Sequence, residues 1–162
     1  MSEPALIPVL SDAEVREIEA ECAHLPDRKS AAIDAMMIVQ RHRGWVSDES
    51  LSAIAHLLGM SVENLDSIAT FYNLIFRKPV GRHVVMVCDS VSCYVMGADP
   101  LRKQIEAHLG IGLGQTTDDG RFTLLPIVCL GACDKAPTMM IGDELIENVD
   151  AEQLDGVFGR FE

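Results

Sequence analysis

The first half of the chain shows the spacing of apolar residues that is typical of short amphipathic helices. Apolar positions recur three or four residues apart in four segments, and each segment follows a serine. Ser11 and Glu14 form a capping box, in which each side chain accepts a hydrogen bond from a backbone N–H at the helix start. Gly44 and Gly59 are expected to end the second and third helices. The pattern therefore predicts a helical bundle whose four helices begin near Ser11, Ser30, Ser47 and Ser61.

The periodicity changes after Pro79-Val80-Gly81, where runs of strand length replace the helical spacing. The nearly continuous apolar run over residues 83–87 is typical of a buried central strand. A second strand is predicted over residues 121–128, and Asp99 is predicted to cap a helix between the two strands. The remaining segment predicts a β-hairpin and then a last helix from Asp150. This order of elements is compatible with a small thioredoxin-like α/β layer.

Composition and charge limit the class of protein. A hydrophobic content of 48% with 23% charged residues is typical of a globular chain of 162 residues and excludes wholesale disorder. The formal net charge of −12 argues against nucleic-acid binding, because phosphates require a basic surface. The first residues lack the features of a signal peptide or a mitochondrial presequence. The longest apolar stretch, residues 124–133, is about half of the ~20 residues that span a bilayer. We therefore expect a soluble, cytoplasmic protein.

Four of the five cysteines form two tight pairs, Cys88 with Cys93 and Cys129 with Cys133. Each pair follows a predicted strand, so both pairs should lie on loops at one edge of the sheet. Thiolates are soft ligands that select zinc, copper(I) or iron–sulfur clusters. In a reducing compartment, clustered cysteines are more often metal ligands or redox groups than disulfides. The fifth, Cys22, lies on the first predicted helix and is interpreted as a small buried apolar side chain.

The chemistry of the paired cysteines leaves more than one metal centre open. A 2Fe-2S cluster has two irons, and one cysteine pair per iron is the natural division. The small residues of both loops offer N–H groups and hydroxyls to the sulfur atoms, which favours the cluster. A zinc ion takes four ligands around one point, and the spacings of four and three residues do not exclude it. A thioredoxin-type redox centre requires a C-x-x-C motif, which is absent. Unrelated cysteines remain the third alternative.

Several motifs resemble a known family, the small 2Fe-2S subunit (the E subunit) of bacterial NADH-quinone oxidoreductase, which is respiratory complex I. The resemblance extends from about Ser30 to the C-terminus. It includes the spacing of Cys88 and Cys93. Its other segments are Ile68-Ala69-Thr70-Phe71-Tyr72, Pro79-Val80-Gly81-Arg82-His83-Val84, Asp119-Gly120-Arg121-Phe122-Thr123-Leu124-Leu125-Pro126 and Cys129-Leu130-Gly131-Ala132-Cys133-Asp134.

This resemblance implies an α+β protein with two domains. A helical bundle is expected over residues 1–75 and a thioredoxin-like α/β ferredoxin domain over residues 76–162. The resemblance further implies that one 2Fe-2S cluster is bound by Cys88, Cys93, Cys129 and Cys133. The cluster would exchange single electrons with FMN, and both FMN and NADH would bind the neighbouring subunit of the NADH-dehydrogenase module. The glycine-rich segment 110–114 follows a predicted helix instead of preceding one, so it lacks the context of a dinucleotide-binding loop.

The resemblance also sets the alternatives for function. As part of the complex, the chain is expected at the inner face of the cell membrane, without inserting into it and without turnover on its own. The helical half, with its segment 69–72, is expected to help clamp the FMN-bearing subunit. The second candidate is the equivalent small subunit of an NAD-linked formate dehydrogenase or hydrogenase. A remote third candidate is a zinc-stabilised interaction module.

Overall fold

The computed structural model describes residues 10–161, and these form two compact units, the first ending at Pro79 and the second beginning at Val80. The predicted domain boundary at residues 75/76 lies slightly before this division. The expectation about the first residues of the chain concerns positions outside the described range. Over the residues described, no helix is both long enough and apolar enough to cross a membrane.

The first unit is entirely helical. Serines cap three of its helices, and the predicted capping box of Ser11 and Glu14 is present. The second helix begins two residues later than predicted, because Asp27 accepts a hydrogen bond from the Lys29 N–H and starts a 3₁₀ turn first. The elements are α1 (Asp12–Ala23), the 3₁₀ turn Arg28–Ala31, α2 (Ala32–Arg43), α3 (Asp48–Leu58) and α4 (Val62–Phe71).

The core of the first unit contains the apolar residues that recur at helical spacing. Ile18, Met36 and Ile54 are fully buried, and Cys22 is 7% exposed, which confirms its interpretation as a buried apolar residue. The neighbouring Met37 lies outside this core, because its side chain is 36% exposed. Adjacent helical residues point in directions about 100° apart, so Met36 faces the core while Met37 lies towards solvent.

The second unit contains one mixed sheet of four strands. The strands are β1 (His83–Cys88), β2 (Phe122–Ile127), β3 (Met139–Ile141) and β4 (Glu144–Ile146), in the spatial order β2-β1-β3-β4. Strand β1 is central and is almost completely buried, as its apolar run predicts. It pairs in parallel with β2 and antiparallel with β3, and β3 pairs with β4 as the predicted hairpin.

Helices of the second unit differ from the predictions at two places. The helix α5 (Val91–Val95) replaces part of a predicted loop. The helix α6 (Ala98–Leu109) begins after Gly97, whose φ of +97° requires glycine, so the prediction of Asp99 as the cap is wrong. The carboxylate of Asp99 instead accepts a hydrogen bond from Arg102 at 2.6 Å within the first turn. The last elements are the 3₁₀ turns Cys133–Lys135 and Ala151–Gln153 and the helix α7 (Leu154–Phe158).

Candidate metal centre

The two cysteine pairs begin at one edge of the sheet. Cys88 is the last residue of β1, and it stands opposite Ile127, the last residue of the parallel strand β2. The carboxyl ends of parallel strands lie at the same edge of a sheet. Cys129, two residues after Ile127, therefore lies at the same edge as Cys88. A hydrogen bond from the Asp89 N–H to the Ile127 carbonyl, at 3.0 Å, continues the pairing beyond the strands. The strand pairing therefore places both cysteine-bearing segments at the same edge.

The thiols differ in their exposure to solvent. Cys88 and Cys93 are each 2% exposed, whereas Cys129 and Cys133 are exposed. Cys93 lies on helix α5, so the loop that was predicted to contain it is partly helical. Cys133 begins a 3₁₀ turn. We call Cys88 and Cys93 the inner pair and Cys129 and Cys133 the outer pair.

The loop of the outer pair directs backbone N–H groups towards sulfur. The Gly131 N–H donates to the Cys129 sulfur at 3.3 Å, and the φ of Gly131 is +78°, a left-handed conformation that glycine adopts at little cost. The Leu130 N–H hydrogen-bonds to the Cys88 sulfur, which connects this loop to the inner pair. Donors of this kind stabilise negative sulfur, so the loop fits the thiolate ligands of an iron–sulfur cluster.

The two thiols of the inner pair influence one another. Burial raises the pKa of Cys93, and the neighbouring Cys88 thiolate raises it further. Burial also acts to raise the pKa of Cys88, but hydrogen bonds from the N–H groups of Ser90 and Leu130, and from the side chains of Cys93 and Thr138, turn the net shift downward. Cys88 therefore ionises more readily than Cys93, before any metal adds its own positive charge.

No group of three or more His, Cys, Asp or Glu side chains within the described part of the chain is arranged to hold one metal ion. The inner thiols hydrogen-bond to each other, and the outer thiols lie on a separate segment of the chain. The donors nevertheless fit an iron–sulfur group, because the structure aims N–H groups at sulfur atoms in both pairs.

A family model for the thioredoxin-like [2Fe-2S] ferredoxins matches residues 18–162. The chain belongs to this family. The predicted cofactor, one 2Fe-2S cluster, is confirmed by this membership, while the assignment of its four ligands stays a prediction.

Relatives within this family agree with the predicted resemblance. The chain is 53% identical over 136 residues to the E subunit of NADH-quinone oxidoreductase from Pseudomonas aeruginosa, covering 84% of this chain and 82% of that one. It is 47% identical over 152 residues to the proteins of the same name from Salmonella typhimurium and Escherichia coli, covering 94% of this chain and 92% of each relative. The relatives are thus subunits of an oxidoreductase, as the resemblance implies.

A solved structure agrees with the predicted fold of this family member. The crystal structure of NAD⁺-reducing [NiFe]-hydrogenase in the H2-reduced state matches with a TM-score of 0.68. The sequences are 22% identical, and the match covers 81% of this chain but only 22% of the hydrogenase chain. At this identity the likeness shows the fold alone. The predicted α+β class, with a thioredoxin-like ferredoxin domain, is confirmed.

Sequence reasoning missed an apolar surface beside the cysteines of this family member. Helix α5, the residue after it and the residue before Cys129 expose large apolar side chains, each between 60% and 74% accessible to solvent. The segment is too short for its periodicity to show which side faces outward. We call these residues the apolar rim, and they are Val91, Tyr94, Val95, Met96 and Val128.

Proposed function

We propose that this chain is the electron-transfer subunit of the NADH-dehydrogenase module of respiratory complex I. Its one 2Fe-2S cluster would be held by Cys88, Cys93, Cys129 and Cys133 and would exchange single electrons with FMN on the partner subunit. Two observations support the proposal. Relatives that are 47–53% identical over most of both chains are named as the E subunit of NADH-quinone oxidoreductase. In addition, the two cysteine-bearing segments meet at one sheet edge, where the Leu130 N–H reaches the Cys88 sulfur.

The inner pair and the outer pair differ in their exposure to solvent and therefore in their proposed roles. When bound, a 2Fe-2S cluster takes up and releases one electron at a time. The inner pair is shielded from water, which strengthens every hydrogen bond to its sulfur atoms. The outer pair is exposed and is held by a glycine-containing loop, so it lies on the side that a redox partner is able to approach.

The partner is proposed to cover the apolar rim. Monomeric proteins rarely expose contiguous large apolar surfaces without a function, and in this unit the most exposed apolar side chains flank the cysteines in sequence. Fully burying a side chain such as Val95 against a second protein contributes roughly 1.5–3 kcal/mol. A partner docked there contacts the ligand-bearing segments directly, as single-electron exchange with FMN requires. FMN and NADH are assigned to that partner.

The alternatives are ordered by the same observations. The equivalent subunit of an NAD-linked hydrogenase is supported only by a common fold at 22% identity, and this match does not extend to a formate dehydrogenase. The higher identity to the E subunit of NADH-quinone oxidoreductase, over nearly whole chains, favours complex I. A zinc-stabilised module is the weakest candidate, because the family that includes this chain is named for its 2Fe-2S cluster.

The ligand assignment is tested by changing each of the four cysteines to serine in the full chain, purified anaerobically. We expect wild-type protein to contain about two iron and two sulfide ions per chain. Each single variant should lose or alter the visible absorption of the cluster. Cys22→Ala is the matched control and should keep the wild-type spectrum, because Cys22 lies in the helical core. Zinc in place of iron and sulfide, or loss of the cluster in Cys22→Ala, would contradict the assignment.

A further inference from the structure

Thr138 is a buried polar residue that packs against the inner pair. It directly precedes β3, and only 1% of it is exposed. Its carbonyl oxygen accepts a hydrogen bond from the Cys88 N–H at 3.2 Å. Its hydroxyl oxygen lies 3.6 Å from the Cys93 sulfur, although 45 residues separate the two positions in sequence. Strand pairing between β1 and β3 thus places Thr138 next to the inner pair.

Among the described residues, the hydroxyl of Thr138 hydrogen-bonds only to sulfur atoms. Besides its contact with Cys93, the hydroxyl hydrogen-bonds to the sulfur of Cys88, and the backbone N–H of Thr138 hydrogen-bonds to the sulfur of Cys93. The structure gives the hydroxyl no nitrogen or oxygen partner within residues 10–161. A buried hydroxyl usually requires a partner, and here both partners are thiols of the inner pair.

The protonation of the thiols decides which group donates. A cysteine that binds iron does so as a thiolate and has no proton to give, so the hydroxyl of Thr138 must be the donor. Hydrogen bonds to a negatively charged acceptor are stronger than those between neutral groups, and burial strengthens them further.

We propose that Thr138 is a positioning residue whose hydroxyl donates a hydrogen bond to an inner thiolate and raises the reduction potential of the cluster. This proposal rests on the proposed function, because it requires Cys88 and Cys93 to be ligands. One electron enters the cluster on reduction, no bond is formed or broken, and Thr138 keeps its proton. The added electron makes the sulfur atoms more negative, so the donor stabilises the reduced state more than the oxidised state.

The test compares threonine variants in the full, anaerobically purified chain by redox titration with dithionite, followed by electron paramagnetic resonance. Thr138→Val removes the hydroxyl and preserves the shape. We expect its reduction equilibrium to be about tenfold less favourable, which corresponds to ~59 mV for one electron. Its spectrum should also shift. Thr138→Ser keeps the hydroxyl and should keep a potential close to that of wild-type protein.

Thr123→Val is the matched control for the loss of a buried threonine hydroxyl. Thr123 is 2% exposed, and its hydroxyl bonds to the Gly81 N–H at 2.6 Å and to Thr116 at 2.7 Å. It stands opposite Val84, four residues along β1 from Cys88, which is roughly 13 Å of strand. This control should leave the potential unchanged even where it lowers stability.

The possible outcomes distinguish the role of Thr138 from the ligand assignment in the proposed function. An unchanged potential in Thr138→Val, with wild-type iron content, would overturn the role of Thr138 and leave the four-cysteine assignment intact. Equal shifts in Thr138→Ser, Thr138→Val and Thr123→Val would overturn it as well, because they would reflect packing alone. If Thr138→Val binds too little iron, Thr138→Ala gives the same comparison, and a wild-type potential there would overturn the role. Failure of the proposed function would show separately, as cysteine variants that keep the wild-type spectrum of the cluster.

Discussion

At the scale of single residues, Glu14 is a buried carboxylate that joins two helices. It is 1% exposed, and its two oxygens accept hydrogen bonds of 2.6 Å from Nε and Nη2 of Arg43 on α2. The Ser11 N–H donates to it at 2.7 Å as part of the capping box. Burial acts to raise the pKa of Glu14, but the hydrogen bonds from Arg43 and Ser11 lower it from 4.5 to about 2. Glu14 therefore contributes stability only while it is ionised.

Glu14→Gln should remove a defined part of the pH dependence of unfolding. A carboxyl whose pKa is lowered by folding stabilises the folded state above pH 4.5, and this contribution is lost as the pH falls towards 2. Between pH 7 and pH 3 wild-type protein should lose about 2 kcal/mol more than Glu14→Gln in the free energy of unfolding. Urea titrations at both pH values measure the difference.

Glu17→Gln is the control on the same helix. Its carboxylate is 43% exposed and pairs with Arg41 and His42 at the surface, where ion pairs contribute little. This variant should retain most of the wild-type pH dependence. Equal pH dependence in wild-type protein and Glu14→Gln would show that the buried pair does not stabilise the helical unit in the way its geometry implies.

At the scale of secondary-structure elements, the pairing of β1 with β2 positions the cysteine-bearing segments. Gly81 lies just before β1, and its N–H donates to the Thr123 hydroxyl at 2.6 Å. Hydrogen bonds from Arg82 and His83 to the carbonyls of Gly120 and Arg121 extend the pairing at this end. The two backbones approach so closely that a side chain on Gly81 would meet backbone atoms at 3.0 Å. This end of the strand pair therefore requires a glycine.

Gly81→Ala should destabilise the ferredoxin unit by about 1–3 kcal/mol, because backbone atoms of residues 120 and 121 must move to make room for the methyl group. Urea unfolding followed through the absorption of the cluster reports on this unit. Gly156→Ala is the control in helix α7, where an added methyl group meets nothing within 4 Å. It should be neutral or stabilising by up to ~1 kcal/mol. Wild-type stability in Gly81→Ala would contradict this expectation, because it would show that the backbone of residues 120 and 121 moves aside with little loss of free energy.

At the scale of the whole molecule, each unit exposes its own apolar surface. In the ferredoxin unit this surface is the apolar rim. In the helical unit Phe71 is 77% exposed at the end of α4, and Tyr72 and Leu74 are 43% and 45% exposed just beyond it. The acidic charge of −12 adds long-range attraction for a basic partner and suppresses self-association. Both surfaces fit a subunit that functions inside a larger complex.

Variants of the full chain should show that both surfaces bind the FMN-bearing subunit. Tyr94→Ser with Val95→Ser in the rim, and Phe71→Ser in the helical unit, should each weaken binding at least tenfold, as expected for exposed aromatic anchors that become buried. Calorimetry or pull-down with the isolated partner measures the loss. Met37→Ser, at a different exposed apolar site, should bind normally. Full affinity in either variant would remove that surface from the interface.

A fragment of residues 76–162 should keep its cluster and lose most of its binding to the FMN-bearing subunit. The buried residues that form the core of the ferredoxin unit, and all four paired cysteines, lie within this fragment. The fragment lacks Phe71, Tyr72 and Leu74. Affinity equal to that of the full chain would assign the whole interface to the ferredoxin unit.

Local signals allowed much of this protein to be predicted from its sequence. The serine caps, the capping box at Ser11 and Glu14 and the glycine ends of α2 and α3 each depend on residues within one helical turn. The apolar run of β1 is equally local, since a central strand is buried on both faces. The motifs around the cysteines identified the family and its cofactor. Features of this kind depend on residues that are neighbours in the chain, so the sequence is enough to predict them.

Only the tertiary structure decided the properties that depend on distant contacts. Four cysteines look alike in the sequence, but packing with Ala98 and Ala136 buries Cys88 and Cys93, whereas Cys129 stays exposed. Helix α5 has five residues, too few to show a period, so its outward apolar face could not be predicted. Thr138 reaches Cys93 across 45 residues of sequence, because strand pairing, and no local pattern, brings them together.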